Sequence, residues 1–252
     1  MRSFRTLIPV VCLVVAGGCR SGSEEPAPGQ PRAPSSDLSL VGTAKAAVAP
    51  PPAAALDPAR GTEIGMVFEA FLSPHQEPGE EDATPRGTPE AFRSTTPSKS
   101  RNEREAAGHR GHGQVRFSRD LSRAFVDVRI EGVELTTINM FHIHCGQPGI
   151  LGPILVDFAL ATDLQENFGS GTFSVEVTNA DLVNTSQHGH GAIAAFTAGC
   201  VVPGPSLSPT PTKVSTVAGM AHIAQQGELY FNLHTTGQTY YGDIRGQIHA
   251  VP

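Results

Sequence analysis

The residues best suited to chemistry are histidines, and two lie one residue apart: His142 and His144, in Met140-Phe141-His142-Ile143-His144-Cys145. On a β-strand, residues i and i+2 leave the same face with backbones about 7 Å apart. Two imidazoles at that spacing can hold one metal ion, and imidazole suits zinc or copper. His188, His190, His222 and His234 are further candidate ligands. His234 alternates with apolar residues, so it should point away from the core. If its strand neighbours that of His142, it is the best third ligand. His188-Gly189-His190-Gly191 reads as a flexible surface turn. The competing reading of His142 and His144 is a polar, hydrogen-bonded strand end whose other face, Phe141 and Ile143, is core. Asp243 and Arg245 share one face of the last strand. They are expected as a cross-strand ion pair near the surface, worth under about 1 kcal/mol. The alternative puts that pair behind the ligands, with the carboxylate orienting a histidine.

Other chemistries find no residues to carry them. The chain has no Gly-x-Ser-x-Gly elbow, phosphate loop, dinucleotide fingerprint or His-Glu-x-x-His helix. Trp is absent and aromatics make up 6% of the chain, so no stacking platform for single strands or sugars is expected. The formal net charge is −6. Setting aside Arg2 and Arg5 of the first 18 residues leaves 16 basic and 24 acidic side chains, or −8. Nucleic acid and anionic lipid surfaces both call for a cationic face, so neither is an expected main partner.

The elements that must position these residues read as strands. Ile64, Met66, Phe68, Ala70 and Leu72 alternate on one face, and Val115 and Phe117 mark a short second strand. Ala124, Val126, Val128 and Ile130 define a third, Ile138–His144 a fourth and Pro153–Phe158 a fifth. Phe173, Val175 and Val177 mark the sixth, Leu229, Phe231 and Leu233 the seventh, and Ile244 and Ile248 the eighth. One short helix is expected, capped by Ser215, with Val217, Met220, Ala221 and Ala224 on one side and Gly227 at its end. About eight short strands with turn signals between them predict an all-β fold, an antiparallel β-sandwich or Greek-key barrel. Pro78–Gly113 is charged and nearly free of apolar residues, so it reads as a disordered insertion. Val201–Pro211 reads as a further loop.

Three stretches together resemble the CHRD (chordin-type) domain family: Phe68–Pro78 (FEAFLSPHQEP), Met140–Phe158 (MFHIHCGQPGILGPILVDF) and Gly227–Ile248 (GELYFNLHTTGQTYYGDIRGQI). The likeness spans roughly residues 63–251, with Asp243 where the family usually has Glu. Animal chordins carry several such domains in secreted antagonists of growth factors, so the resemblance implies a binding module. Phe141-His142-Ile143-His144 is also similar to the first histidine pair of copper–zinc superoxide dismutases, exported β-barrels with one disulfide. The glycine-flanked bridging histidine and the zinc-loop aspartates of those enzymes have no counterpart here.

The N-terminus reads as an export signal over residues 1–18. Arg2 and Arg5 precede an apolar run, Leu7–Val15, too short to span a bilayer core of about 30 Å. Ala16-Gly17-Gly18-Cys19 looks like a lipobox, so Cys19 is the expected lipidation site and several acyl chains would anchor the protein stably. Arg20 resembles an outer-membrane sorting residue in cells that have one. Residues 19–60 are rich in Ala and Pro and read as a disordered tether reaching on the order of 35 Å. Residues 61–252 form the domain. Cys145 and Cys200 are then the only cysteines left beyond Cys12 and Cys19, and an even pair in an exported protein is best read as a disulfide. Two free thiols or a shared metal site are the other readings. The leading expectation is a non-enzymatic, membrane-tethered binding or structural module of the cell envelope, with protein or envelope polymer as partner. The alternative is a copper- or zinc-binding protein with oxidoreductase chemistry, centred on His142 and His144.

Overall fold

A computed structural model describes residues 63–188, 199–202 and 212–251. The expected signal, Cys19, the tether, His190 and residues 203–211 of the expected further loop lie outside the described residues, and the first two residues of that loop, Val201 and Val202, form a short strand instead. Within them the strands are β1 (Ile64–Leu72), β2 (Arg110–Ser118), β3 (Arg123–Glu131), β4 (Ile138–Cys145), β5 (Ile154–Asp157) and β6 (Thr172–Thr178). They continue with β7 (Val201–Val202), β8 (Thr212–Lys213), β9 (Leu229–Thr235), β10 (Ile244–Gln247) and β11 (His249–Ala250). The described helices are α1 (Arg101–Ala106), α2 (Leu164–Asn167), α3 (Asn179–His188) and α4 (Val217–Gln225).

Two antiparallel sheets form a sandwich, one in the order β11-β1-β2-β3-β6 and the other β10-β9-β4-β5. Strict alternation puts Phe68, Ala70, Leu72, Val115, Phe117, Val126, Val128, Phe141, Ile143, Phe231 and Leu233 in the shared core. Its centre is aromatic: the Phe141 ring meets Phe158 at 4.8 Å, Phe173 at 5.1 Å and Phe231 at 5.8 Å. The expected eighth strand is two strands. Residues 244–247 pair with β9, then the chain crosses at buried Ile248 and β11 pairs with β1 in the other sheet. A strand that changes sheets closes the corner of the sandwich.

Three expectations need correcting. More than one short helix is present: α1 and α2 have polar sequences marked by their caps, Ser100 and Asp163, and α3 is a polar helix that buries only Leu182 and Thr185. The helix that was expected, α4, is capped one residue later, by Thr216, whose hydroxyl accepts the Gly219 amide; Gly227 ends it at φ +71°. The third correction is the largest. Residues 78–113, expected as disordered, carry short 3-10 turns at Glu81–Ala83 and Glu90–Phe92, the helix α1, and the first half of β2. Polar contacts order this segment in place of apolar burial. Ser100 and Glu103 form a reciprocal capping box at the start of α1. The amides of Thr95 and Thr96 donate to Thr236 O at 2.8 and 3.1 Å, and the Glu81 carboxylate accepts the amides of Tyr240 and Tyr241 at 3.0–3.2 Å.

Candidate metal centre on a covered sheet face

The cross-strand register decides which side chains meet. His142 sits opposite Asp157 of β5 and Asn232 of β9, and Asn232 in turn sits opposite Arg245 of β10. The next row joins Ile154, His144, Tyr230 and Gln247. His234 is two residues beyond Asn232, diagonal to His142. In most sandwiches such an outer face is wet, and alternation should leave it polar and exposed. Here it is polar and buried: His142, His144, His234, Asp157, Asn232 and Arg245 all have side chains below a tenth exposed. The cover is the segment between β1 and β2, strapped to the β9–β10 turn, together with the loop 146–153.

Under that cover the three histidines converge. One ring nitrogen from each of His142, His144 and His234 lies within 4.8 Å of the other two. Three points so spaced all fall within about 2.8 Å of a common centre. Zinc– and copper–nitrogen bonds are near 2 Å, so shifts of under about 1 Å would complete a site. Backbone carbonyls orient two of the rings. His144 Nδ1 meets Gly152 O at 2.9 Å and His234 Nδ1 meets Thr239 O at 3.0 Å, which turns both Nε2 atoms inward. His142 approaches the Asp157 carboxylate through Nε2 at 3.6 Å. His144 also stacks on Tyr230, centroids 4.9 Å apart and planes 7° apart. A cleft of about 330 Å³ opens beside the cluster, walled by Phe92, Leu151, Pro153 and Tyr240.

The expected third ligand, His234, is therefore where the strand pairing puts it, although covered rather than facing solvent. His188 closes α3 instead of lying in a turn, and His222 is exposed on α4 with its Nε2 2.9 Å from Gln226 Nε2; neither joins the cluster. Asp243 and Arg245 are not an ion pair near the surface, because both are buried and each has other partners. Asp243 lies 2.5 Å from His109 Nδ1 and accepts the Thr235 hydroxyl at 3.0 Å, so the histidine it orients is His109 and none of the three. Arg245 lies 3.4 Å above the Tyr230 ring and donates to Ile150 O and Gln147 O at 2.9 and 3.0 Å, which holds the 146–153 loop in place. Burial lowers the Arg245 pKa, partly offset by Tyr230 and Glu77.

Several residues of this region were missed in the sequence. Asp157 ends an apolar strand, where an acidic residue in line with a core run was a readable signal. Arg104, fully buried and donating to the carbonyls of Lys99, Gly242 and Asp243, was marked only by the Ser100-x-x-Glu103 box ahead of it. Glu77 was part of the first family motif but had no pattern that marked it as buried, and His109 carried no local signal. The pair Cys145–Cys200 is a disulfide with Cα atoms 6.0 Å apart, anchoring the end of β4 one residue from His144.

No curated protein and no solved structure matches the chain. The family model for the CHRD domain matches residues 93–248, which takes in the second and third sequence motifs, α1 and all three clustered histidines. With well over half of its length matched, the chain belongs to the CHRD domain family.

Proposed function

We propose that the protein is an exported, lipid-anchored CHRD-domain module of the cell envelope that binds one copper or zinc ion through His142, His144 and His234. The observation that carries the metal reading is the convergence of three buried ring nitrogens within 4.8 Å, two of them aimed by backbone carbonyls. A metal ion would bind all three rings at once. The address rests on Arg2 and Arg5, the apolar run and Cys19.

A second reading keeps the histidines as framework of a non-enzymatic binding module whose partner is an envelope protein or polymer. The stacking of His144 on Tyr230 favours it, since that ring contributes to packing whether or not metal is bound.

One preparation tests both. The full-length protein is exported in a bacterial host, purified from membranes without chelator, and analysed for transition metals beside His142→Ala/His144→Ala. One equivalent of copper or zinc, lost in the double variant, supports the metal reading. A folded, metal-free wild type sinks it and leaves the framework reading. Recovery of Cys19→Ser in the membrane fraction with unchanged yield would remove the lipid anchor.

A further inference from the structure

The three histidines differ from a closed structural site in what surrounds them. Structural zinc sites take four protein ligands, whereas reactive sites take three and leave one position to a non-protein ligand. Among the described residues no fourth side chain joins the convergent set. Other donors on the same sheet face make contacts of their own. Asp157 Oδ1 accepts the Ala159 amide at 3.1 Å and faces His142. The Tyr230 hydroxyl accepts the Gly152 amide at 3.0 Å, Asn232 donates to Tyr241 O at 2.9 Å with its carboxamide oxygen lying beside Gly242, and Cys145 is oxidised.

What does reach the cluster is the cleft. Its volume is about 330 Å³; the three imidazoles form its floor, and exposed Leu151 and the half-buried Phe92 and Tyr240 stand at its mouth. No Lys or Arg is among its lining residues. Arg245, the buried cation of this sheet face, is held by two carbonyls and the Tyr230 ring. A polyanion entering this cleft would meet the charge of the metal ion but no cation of the lining, so its larger desolvation would be less fully offset than that of a smaller charge. A neutral molecule or monoanion of a few atoms would not face that cost.

We infer that the metal held by His142, His144 and His234 keeps one coordination position open to this cleft and takes there a small neutral or monoanionic ligand, excluding polyanions such as phosphate. This rests on the metal reading above and adds that the site is of the ligand-accepting kind.

The test uses the full-length protein with one equivalent of Cu(II), because copper reports its ligands spectroscopically. Azide is titrated and followed by optical absorption and electron paramagnetic resonance, with phosphate titrated in parallel. The expected result is one azide per copper, a new azide-to-copper charge-transfer band, and no response to phosphate. Leu151→Trp, at the mouth, should weaken azide roughly tenfold, with copper content measured alongside. Stoichiometric copper that ignores azide would overturn the inference while leaving the metal reading intact. A phosphate response as strong as that to azide would overturn the charge selection. Protein that takes up no copper would bring down the metal reading and this inference with it.

Discussion

At the scale of single residues, the most unusual group is Glu77. It is 2% exposed, and neither carboxyl oxygen has a hydrogen-bond partner among the described residues. The Asn232 carboxamide oxygen is in the same position. Both oxygens flank Gly242, whose φ of +107° is open to glycine alone and where a Cβ would come within 2.0 Å of Asn232 Oδ1 and 2.7 Å of Glu77 Oε1. Burial pushes the Glu77 pKa well above the usual carboxylate value; Arg245 and Arg104 pull the other way without winning. The sign of the linkage follows. The folded pKa lies above the unfolded one, so Glu77 lowers stability progressively as pH rises from the ordinary value of 4.5 through the raised one. Glu77→Gln, which cannot ionise, should therefore be more stable than wild type at pH 8, the gain shrinking to nothing below pH 4.5. Urea unfolding across that range measures it. A variant less stable at pH 8 would mean that Glu77 is held ionised by Arg245.

At the scale of elements, the segment between β1 and β2 converts a wet sheet face into a buried one. Glu81 is its principal strap: besides the Tyr240 and Tyr241 amides, its carboxylate accepts the Ser94 hydroxyl at 2.7 Å. Ser94 Oγ in turn accepts the Thr239 amide at 3.0 Å. Charge-assisted bonds of this kind contribute about 1.5–3 kcal/mol each. Glu81→Ala should free the strap while leaving the two sheets intact. Trypsin would then cut at Arg86 or Arg93 at least about tenfold faster than in wild type, as expected when local opening is eased by over 1.4 kcal/mol. Mass spectrometry of the fragments identifies the sites. Unchanged cleavage would show that the contacts of Thr95, Thr96 and α1 suffice to hold the cover.

At the scale of the molecule, two constraints join distant parts of the chain. The last strands belong to both sheets, and the Cys145–Cys200 bridge closes a separation of 55 residues. On the chain-entropy account a loop of that length stabilises by about 4 kcal/mol. Replacing both cysteines with Ser should lower unfolding free energy by an amount of that order, read as a shift in urea midpoint with little change in slope. A loss under about 1 kcal/mol would mean that the sandwich alone holds the end of β4. None of the described helices is long and apolar enough to cross a membrane.

Much of the fold was legible because it rests on short-range pattern. Period-two alternation marked the strands, the spacing of His142 and His144 put them on one face, and counting cysteines paired Cys145 with Cys200. What alternation reports is the face that meets the core. It is silent on whether the other face is covered, and so Asp243 and Arg245 read as surface residues when they are buried. Composition misled for the same reason at residues 78–113, where order comes from carboxylates and hydroxyls bonded to a backbone more than 130 residues away. The placing of β9 beside β4, which brings His234 to His142 and His144, is likewise non-local. By itself the sequence determined the strands, the family, one pair of candidate ligands and, on condition that its strand lies beside theirs, His234 as a third. The third ligand, the cover and the cleft exist only once distant strands have paired, because no local pattern encodes which strands those will be.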